Sequence, residues 1–221
     1  MSLDFGIVLH FKQALFFGLV TTLELTLICM LLGTILGFLT SLARKAPNRV
    51  LRGVAGVYVE FFRGTPVLVQ LFWIFFCLPL ILGTDLSNFA SSIIALTLYT
   101  GAITSETFRA SLKSIGREQM DASVALGLSE WVKVRYVVLP QALLRAIPTL
   151  LSNSVSLFKE SSLVSAVGMA DLMFVGENIS NSTARPVEVL TSVALIYFVV
   201  AFPVTRVVSH VERRILKKMA V

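Results

Sequence analysis

The sequence predicts an all-α, polytopic membrane protein with about five transmembrane helices, and three observations predict it. Of 221 residues, 56% are hydrophobic and only 14% are charged, against about 25% charged in an ordinary soluble domain. The mean hydropathy is +0.83, more apolar than one modest core could hide from water. Long charge-free runs alternate with short basic segments, which is the pattern of membrane spans and their flanking topology signals. A soluble enzyme, a disordered chain and a disulfide scaffold are excluded on the same grounds.

Each span can be justified in order. A helix needs about 20 apolar residues to cross roughly 30 Å of hydrocarbon. Charge-free stretches of that order run from Leu25 to Ala43, Gly64 to Thr84, Leu86 to Ser105 and Val189 to Thr205. Another begins near Leu139, interrupted by Arg145 and by Lys159-Glu160. Its uncharged piece, Ala146 to Phe158, is too short to cross alone, but Leu150, Leu151, Val155, Leu163 and Val164 carry the apolar pattern past the charges. It counts as span four of five. Gly33 and Gly37 form a small-xxx-small pair in span one, which lets helix backbones approach closely in lipid. Pro66 removes a backbone donor and bends span two, freeing carbonyls that either serve a structural kink or line a path.

The net charge of +6 is distributed as topology signals. Arg44, Lys45, Arg49 and Arg52 follow span one; Lys113, Arg117, Lys133 and Arg135 follow span three; Arg213, Arg214, Lys217 and Lys218 close the chain. These segments are expected to be cytoplasmic, with the N-terminus outside and an odd number of spans. Only Lys12 and Arg185 fall on the opposite side. No aromatic interleaving points to nucleic acid. Cys29 and Cys77 sit in apolar runs and read as buried thiols. Met1 to Gln13 lacks a basic n-region and a cleavage pattern, so no cleaved signal peptide is expected. No GxxxxGK[ST], HExxH or GxSxG occurs, and His10 and His210 stand at opposite ends, so no nucleotide, metal or catalytic chemistry is expected within the chain.

The stretch from Ser111 to Pro140 is too long for a plain tether. Met120, Val124 and Leu126 give Arg117 to Leu126 a partly apolar helical face. Gly127 suits the left-handed residue that ends a helix. Ser129 can cap a second helix through Trp131, Val132 and Val134, which Leu139-Pro140 ends as span four begins. The result is a helical knob, either lying on the headgroups or docking a cytoplasmic partner.

Asp121-Ala122-Ser123, then Gly127, then Leu139-Pro140 resembles the loop of permease subunits in ATP-binding-cassette importers, whose pattern is Glu-Ala-Ala, three residues, Gly, about nine residues, a hydrophobic position and Leu-Pro. Asp121 and Ser123 depart from that pattern. Glu60-Phe61-Phe62-Arg63-Gly64-Thr65-Pro66 with Val69-Gln70 resembles the second-helix signature of the polar amino acid branch. Thr104-Ser105-Glu106-Thr107-Phe108-Arg109, Pro140-Gln141-Ala142-Leu143 and Lys159-Glu160-Ser161-Ser162-Leu163-Val164 are similar to its third and fourth helices. The similarity runs in order from about Glu24 to the last helix, and the histidine/glutamine-type permeases are the matching branch.

Ionisable residues within spans need a partner or a purpose, because a central charge costs about 2.5–3.5 kcal/mol on insertion scales. Asn153, Ser156 and Glu160 recur at helical spacing, overlapped by Ser152 and Lys159, and form a polar stripe on span four. Lys159 and Glu160 either neutralise each other or line a substrate path. The resemblance implies the second, with Glu60 joining them at a membrane amino acid site; a zwitterion needs a cation for its carboxylate and an anion for its ammonium. Glu106 and Arg109, three apart, form either a structural pair or a gate. Glu24 either pairs with a neighbour or faces a cavity. In the outer connection, Gly168 to Pro186, Asp171, Glu177 and Asn178 either meet a solute-binding partner or simply face solvent.

The resemblance implies a type I importer permease, one transmembrane domain over residues 1–221, with a coupling loop at about 111–140 built on Asp121, Ala122, Gly127, Leu139 and Pro140. It implies the bacterial inner membrane and a polar amino acid delivered by a periplasmic binding protein. It also implies a second permease copy or paralogue, and a separate ATPase subunit that binds ATP and Mg; this chain needs no cofactor. Two rivals stay open. An ion-coupled secondary transporter subunit would have to supply symmetry by dimerising, since no inverted repeat is visible. A non-transporting membrane assembly subunit would leave the charged stripe without a use.

Overall fold

A computed structural model describes residues 4–219, and every regular element among them is helical. Residues 1–3 of the expected leader-free N-terminus lie outside the described residues, as do the side chains of Lys217 and Lys218. The elements are α1 (Gly6–His10), α2 (Lys12–Ala43), α3 (Arg49–Gly64), α4 (Val67–Phe72), α5 (Leu78–Leu82), α6 (Asn88–Lys113), α7 (Arg117–Ala125), α8 (Glu130–Val132), α9 (Leu139–Glu160), α10 (Leu172–Thr183) and α11 (Pro186–Met219). Five-residue and six-residue π segments, Trp73–Cys77 and Lys133–Val138, join α4 to α5 and α8 to α9.

Helix α2 shows the inside-out logic of a membrane helix. Its 32 residues reach about 48 Å. Leu15, Gly18, Thr22, Leu25, Cys29, Gly33 and Gly37, spaced by three or four, are buried, while Leu27, Leu31, Ile35 and Leu39 are exposed. Apart from Leu15 and Leu25, small residues therefore turn inward and large apolar ones outward. At Gly33 and Gly37 the contact with α6 is so close that a Cβ on Gly37 would lie 2.0 Å from the Thr104 hydroxyl, and one on Gly33 would lie 2.6 Å from Thr100. Thr104 Oγ1 also donates to the Gly33 carbonyl at 2.9 Å. The expected close approach is realised.

Helix α6 is the central post, packed by α2, α3, α4 and α9. Its buried surface is rich in hydroxyls: Ser91, Ser92, Thr100, Thr104, Ser105 and Thr107. Three helical runs are individually long and apolar enough to cross a membrane: Lys12–Ala43, Glu130–Val167 and Pro186–Ile215. A fourth crossing exists if α3 and the run Val67–Leu82 count together. As a fifth, α6 has the length, about 39 Å over 26 residues. Its hydroxyl-rich face is tolerable because other helices cover it.

Span two bends at Pro66 as expected, and sharply: α3 and the run Val67–Leu82 meet at 111°. Thr65, forced to extended backbone by the following Pro66, makes the break. The carbonyls released at the break find a donor within the chain: Gln70 Nε2 donates to those of Phe62 (2.8 Å) and Thr65 (2.9 Å). One sequence expectation needs correction: Leu139-Pro140 does not end a helix. The chain stays helical from Glu130 to Val167. A proline clashes with the carbonyl four residues back, and here that residue, Tyr136, lies in the wider π turn that accommodates it. Pro79 follows its own π segment in the same way.

Three clusters hold the helices. Leu25, Cys29, Leu71, Ala95, Leu96, Leu157 and Val164 join α2, α4, α6 and α9 to the turn after it. Leu15, Leu172, Ile179, Val189 and Val193 join α2, α10 and α11. Ile115, Val138 and Ala142 anchor the α7–α8 knob to the base of α9.

Candidate functional site

The polar stripe on α9 turns toward α6. Asn153 Nδ2 donates to Thr107 Oγ1 at 3.1 Å, and the Tyr99 hydroxyl donates to Glu160 Oε1 at 3.0 Å. A small cleft of about 30 Å³ between the helices is lined by Tyr99, Thr100, Ile103, Asn153, Ser156 and Glu160. It adjoins an open cavity of about 330 Å³ lined by Ser156, Lys159, Glu160, Ser162 and Leu163. Lys159 and Ser156 are exposed and Glu160 is half-buried. Among the described residues Lys159 makes no ion pair, not even with Glu160. The cavity is thus lined by one ammonium without an ion pair, one carboxylate and two serines.

Glu60 is exposed on α3 and lines neither cavity. Two neighbours of the stripe, Tyr99 and Thr107, are not expected there from the local pattern of α9. Their signal was the four-residue recurrence of Tyr99, Ile103 and Thr107 along one face of α6.

Glu106 and Arg109 pair as their spacing predicts, with Arg109 Nε donating to Glu106 Oε2 at 2.8 Å. The pair is part of something larger. Arg44, at the end of α2, donates to Glu106 Oε1, and Arg63, near the end of α3, stands 3.7 Å from it. One carboxylate therefore ties three helices together. No local spacing could have disclosed this, since Arg44 and Arg63 belong to other elements.

The first helix of the knob and its closing turn form as expected, while its second helix runs on into α9. Gly127 takes φ +68°, and the amides of Leu128 and Gly127 donate to the carbonyls of Ser123 (3.1 Å) and Val124 (2.9 Å), closing a Schellman turn. Ser129 caps α8 by accepting from the Val132 amide. Ser123, one of the departures from the resembling pattern, is buried, and its hydroxyl donates to the Gln119 carbonyl at 2.7 Å. Asp121, Ala122, Gly127 and Pro140 are exposed, and Leu139 is half-buried. Around Gly127 an apolar surface faces outward: Leu126 is 75% exposed, Trp131 68% and Val124 63%.

At the opposite end, Asp171 is fully buried and does not face solvent as its loop position suggested. It caps α10, accepting from the amides of Met173 (3.2 Å) and Phe174 (2.9 Å), and the Tyr197 hydroxyl donates to it at 3.2 Å. Burial pushes its carboxyl up to about 6. Glu177 is half-buried and Asn178 exposed. Glu24 is exposed on α2, without an ion-pair partner among the described residues.

A bundle of long apolar helices with a charged stripe along one of them and an apolar knob at one end is the architecture of a multi-pass membrane protein. Comparison with known proteins makes that specific. Residues 14–217 match the family described as binding-protein-dependent transport system inner membrane component, and the chain belongs to that family. It is 32% identical over 215 residues to the arginine transport system permease protein ArtQ of Bacillus subtilis (strain 168), covering 97% of this chain and 98% of that protein. It is 37% identical over 204 residues to the L-cystine transport system permease protein TcyB of the same organism, covering 92% and 87%. A crystal structure of an amino acid ABC transporter with histidines superposes with a TM-score of 0.92 at 31% identity, covering 97% of this chain and all of that one. The MetNI methionine ABC transporter, captured in inward-facing conformations, shares the fold at a TM-score of 0.78 and 21% identity. The chain is thus a transport subunit of the ABC importer type, a class whose members work with an ATPase subunit and a substrate-binding protein.

Proposed function

We propose that this chain is the single-domain permease subunit that passes a polar amino acid across the bacterial inner membrane. The observation that carries this reading is the open cavity where unpaired Lys159 sits beside Glu160 and Ser156. An ammonium can take the substrate carboxylate, and a carboxylate can take its α-ammonium. Because Lys159 and Ser156 are exposed, the path closes only against another chain, a second copy or a paralogue. Glu60 joins the path from that assembly.

The N-terminus lies outside and the C-terminus in the cytoplasm, as the basic segments require. The knob around Gly127, with Asp121, Ala122, Leu139 and Pro140, docks the ATPase, which holds ATP and Mg. Glu106 and Arg109, with Arg44 and Arg63, hold the cytoplasmic gate. A periplasmic binding protein delivers substrate at the α10 end.

Reconstituted vesicles containing permease, ATPase and binding protein test the reading by uptake of a panel of labelled amino acids. Wild type should take up a polar amino acid only with ATP inside the hydrolysis compartment, and Lys159→Gln should abolish that uptake while ATPase assembly persists. Unchanged uptake by Lys159→Gln and Glu160→Gln would refute the path.

A further inference from the structure

An open apolar groove of about 360 Å³ runs between the last turns of α2 and the first turns of α3. Leu36, Leu39 and Ala43 form one wall, and Leu51, Val54 and Tyr58 the other. The Tyr58 hydroxyl donates to the Leu98 carbonyl at 2.6 Å, so the groove presents almost nothing but hydrocarbon. It continues the outward stripe of α2 formed by Leu31, Ile35 and Leu39, and Val54 of α3, which lines it, is exposed.

The mouth of the groove is cationic. Ala43 and Leu51 sit at its end, next in sequence to Arg44, Lys45 and Arg52, with Arg49 one turn before Arg52. Glu106 engages Arg44. Lys45, Arg49 and Arg52 are exposed, and among the described residues none has an acidic partner. No Asp or Glu occurs in the sequence between Glu24 and Glu60. Arg52 Nη1 reaches back to the Ala46 carbonyl at 3.4 Å, which folds its guanidinium over the α2–α3 turn.

We propose that this groove holds one anionic glycerophospholipid. An acyl chain lies along Leu36, Leu39, Leu51 and Val54, and the phosphate is held by Lys45, Arg49 and Arg52. The charge complementarity selects an anion, and continuity with the lipid-facing stripe selects a ligand already dissolved in the bilayer. Basic pockets at the membrane surface bind anionic headgroups on these terms, and a basic amphipathic helix such as α3 rests at that depth. The lipid would wedge α2 against α3 beside the Arg44–Glu106 contact, so lipid composition would bear on the gate.

The assembled transporter, delipidated and then titrated with phosphatidylglycerol or phosphatidylcholine, tests this by native mass spectrometry. Wild type should retain about one phosphatidylglycerol per chain in preference to phosphatidylcholine. Replacing Lys45, Arg49 and Arg52 together by Gln should reduce that preference on the order of a hundredfold. Val54→Trp fills the groove and leaves every charge in place, so it should lose the bound lipid too. Absence of any preference in wild type overturns the proposal. So does retention of lipid by Val54→Trp, which would mean diffuse surface charge rather than a site. Efficient cross-linking of Val54→Cys, with Cys29 and Cys77 replaced by Ser, to a second permease copy or to the ATPase would make the groove a protein interface and overturn it as well.

Discussion

Glu106 and Arg44 pair across 62 positions of sequence, fastening the end of α2 to the lower half of α6. Arg63 and Arg109 crowd the same carboxylate, so three cations surround one acid. Glu106→Gln removes the one negative charge and leaves three guanidiniums facing each other. The expected loss is about 1–3 kcal/mol, the scale of a hydrogen bond to a charged group. Thermal unfolding in detergent should show it, with Glu106→Asp recovering part. An unchanged melting curve for Glu106→Gln would mean the cluster holds nothing together.

Close packing between α2 and α6 predicts opposite outcomes for two similar substitutions. Gly37→Ala would place a methyl 2.0 Å from Thr104 Oγ1 and force the helices apart. Overpacking of this kind costs about 1–3 kcal/mol. Gly56, on α3, has open space where a Cβ would go. Gly56→Ala should stabilise by about 0.4–1 kcal/mol through the unfolded chain. Melting temperatures that moved the same way in both variants would contradict the observed packing.

Gln70 satisfies two carbonyls that the α3–α4 break releases. Gln70→Leu leaves them without that donor in an apolar setting, at a cost of about 1–3 kcal/mol. Proteolysis or hydrogen exchange at residues 62–66 should rise in the variant while the knob is unaffected. Equal protection would show that the break is held by other contacts.

Asp171 makes the α10 end pH-sensitive. Its folded carboxyl titrates at about 6 rather than 3.8, burial being the main cause. The folded state therefore binds the proton more tightly than the unfolded state does. Its contribution is fully present below about pH 4 and is lost as pH rises through about 6. Wild type should melt lower at pH 7 than at pH 4 by more than Asp171→Asn does. The amide keeps an acceptor for the Met173 and Phe174 amides but does not titrate. Parallel pH profiles would contradict this.

Much of the fold was legible in local pattern. The long apolar runs, Gly33 and Gly37, and the Gly127–Ser129 turn each express a rule that acts within a few residues. What escaped depends on distant partners. The Pro66 break looked like a source of free carbonyls because Gln70's reach back to Phe62 and Thr65 cannot be read from spacing. Leu139-Pro140 looked like a stop because the π turn before it has no clear composition. The charged stripe of α9 was visible in sequence, but its hydrogen bonds to Tyr99 and Thr107 needed the packing of α6. Asp171 read as a loop acid because nothing local signals burial under α2 and α11.

Under the proposed function, ATP-driven motion enters this chain through the knob at Gly127. The most direct test is to tag the chain, purify it gently from native membranes, and quantify what accompanies it, in wild type and in Gly127→Asp. Gly127 is exposed and left-handed, a conformation Asp tolerates better than most residues, so the variant should fold. Wild type should bring down a stoichiometric nucleotide-hydrolysing subunit and support ATP-dependent uptake, and Gly127→Asp should lose both. A chain that purifies alone and supports uptake without ATP, or a Gly127→Asp variant that keeps its ATPase and its uptake, would contradict it.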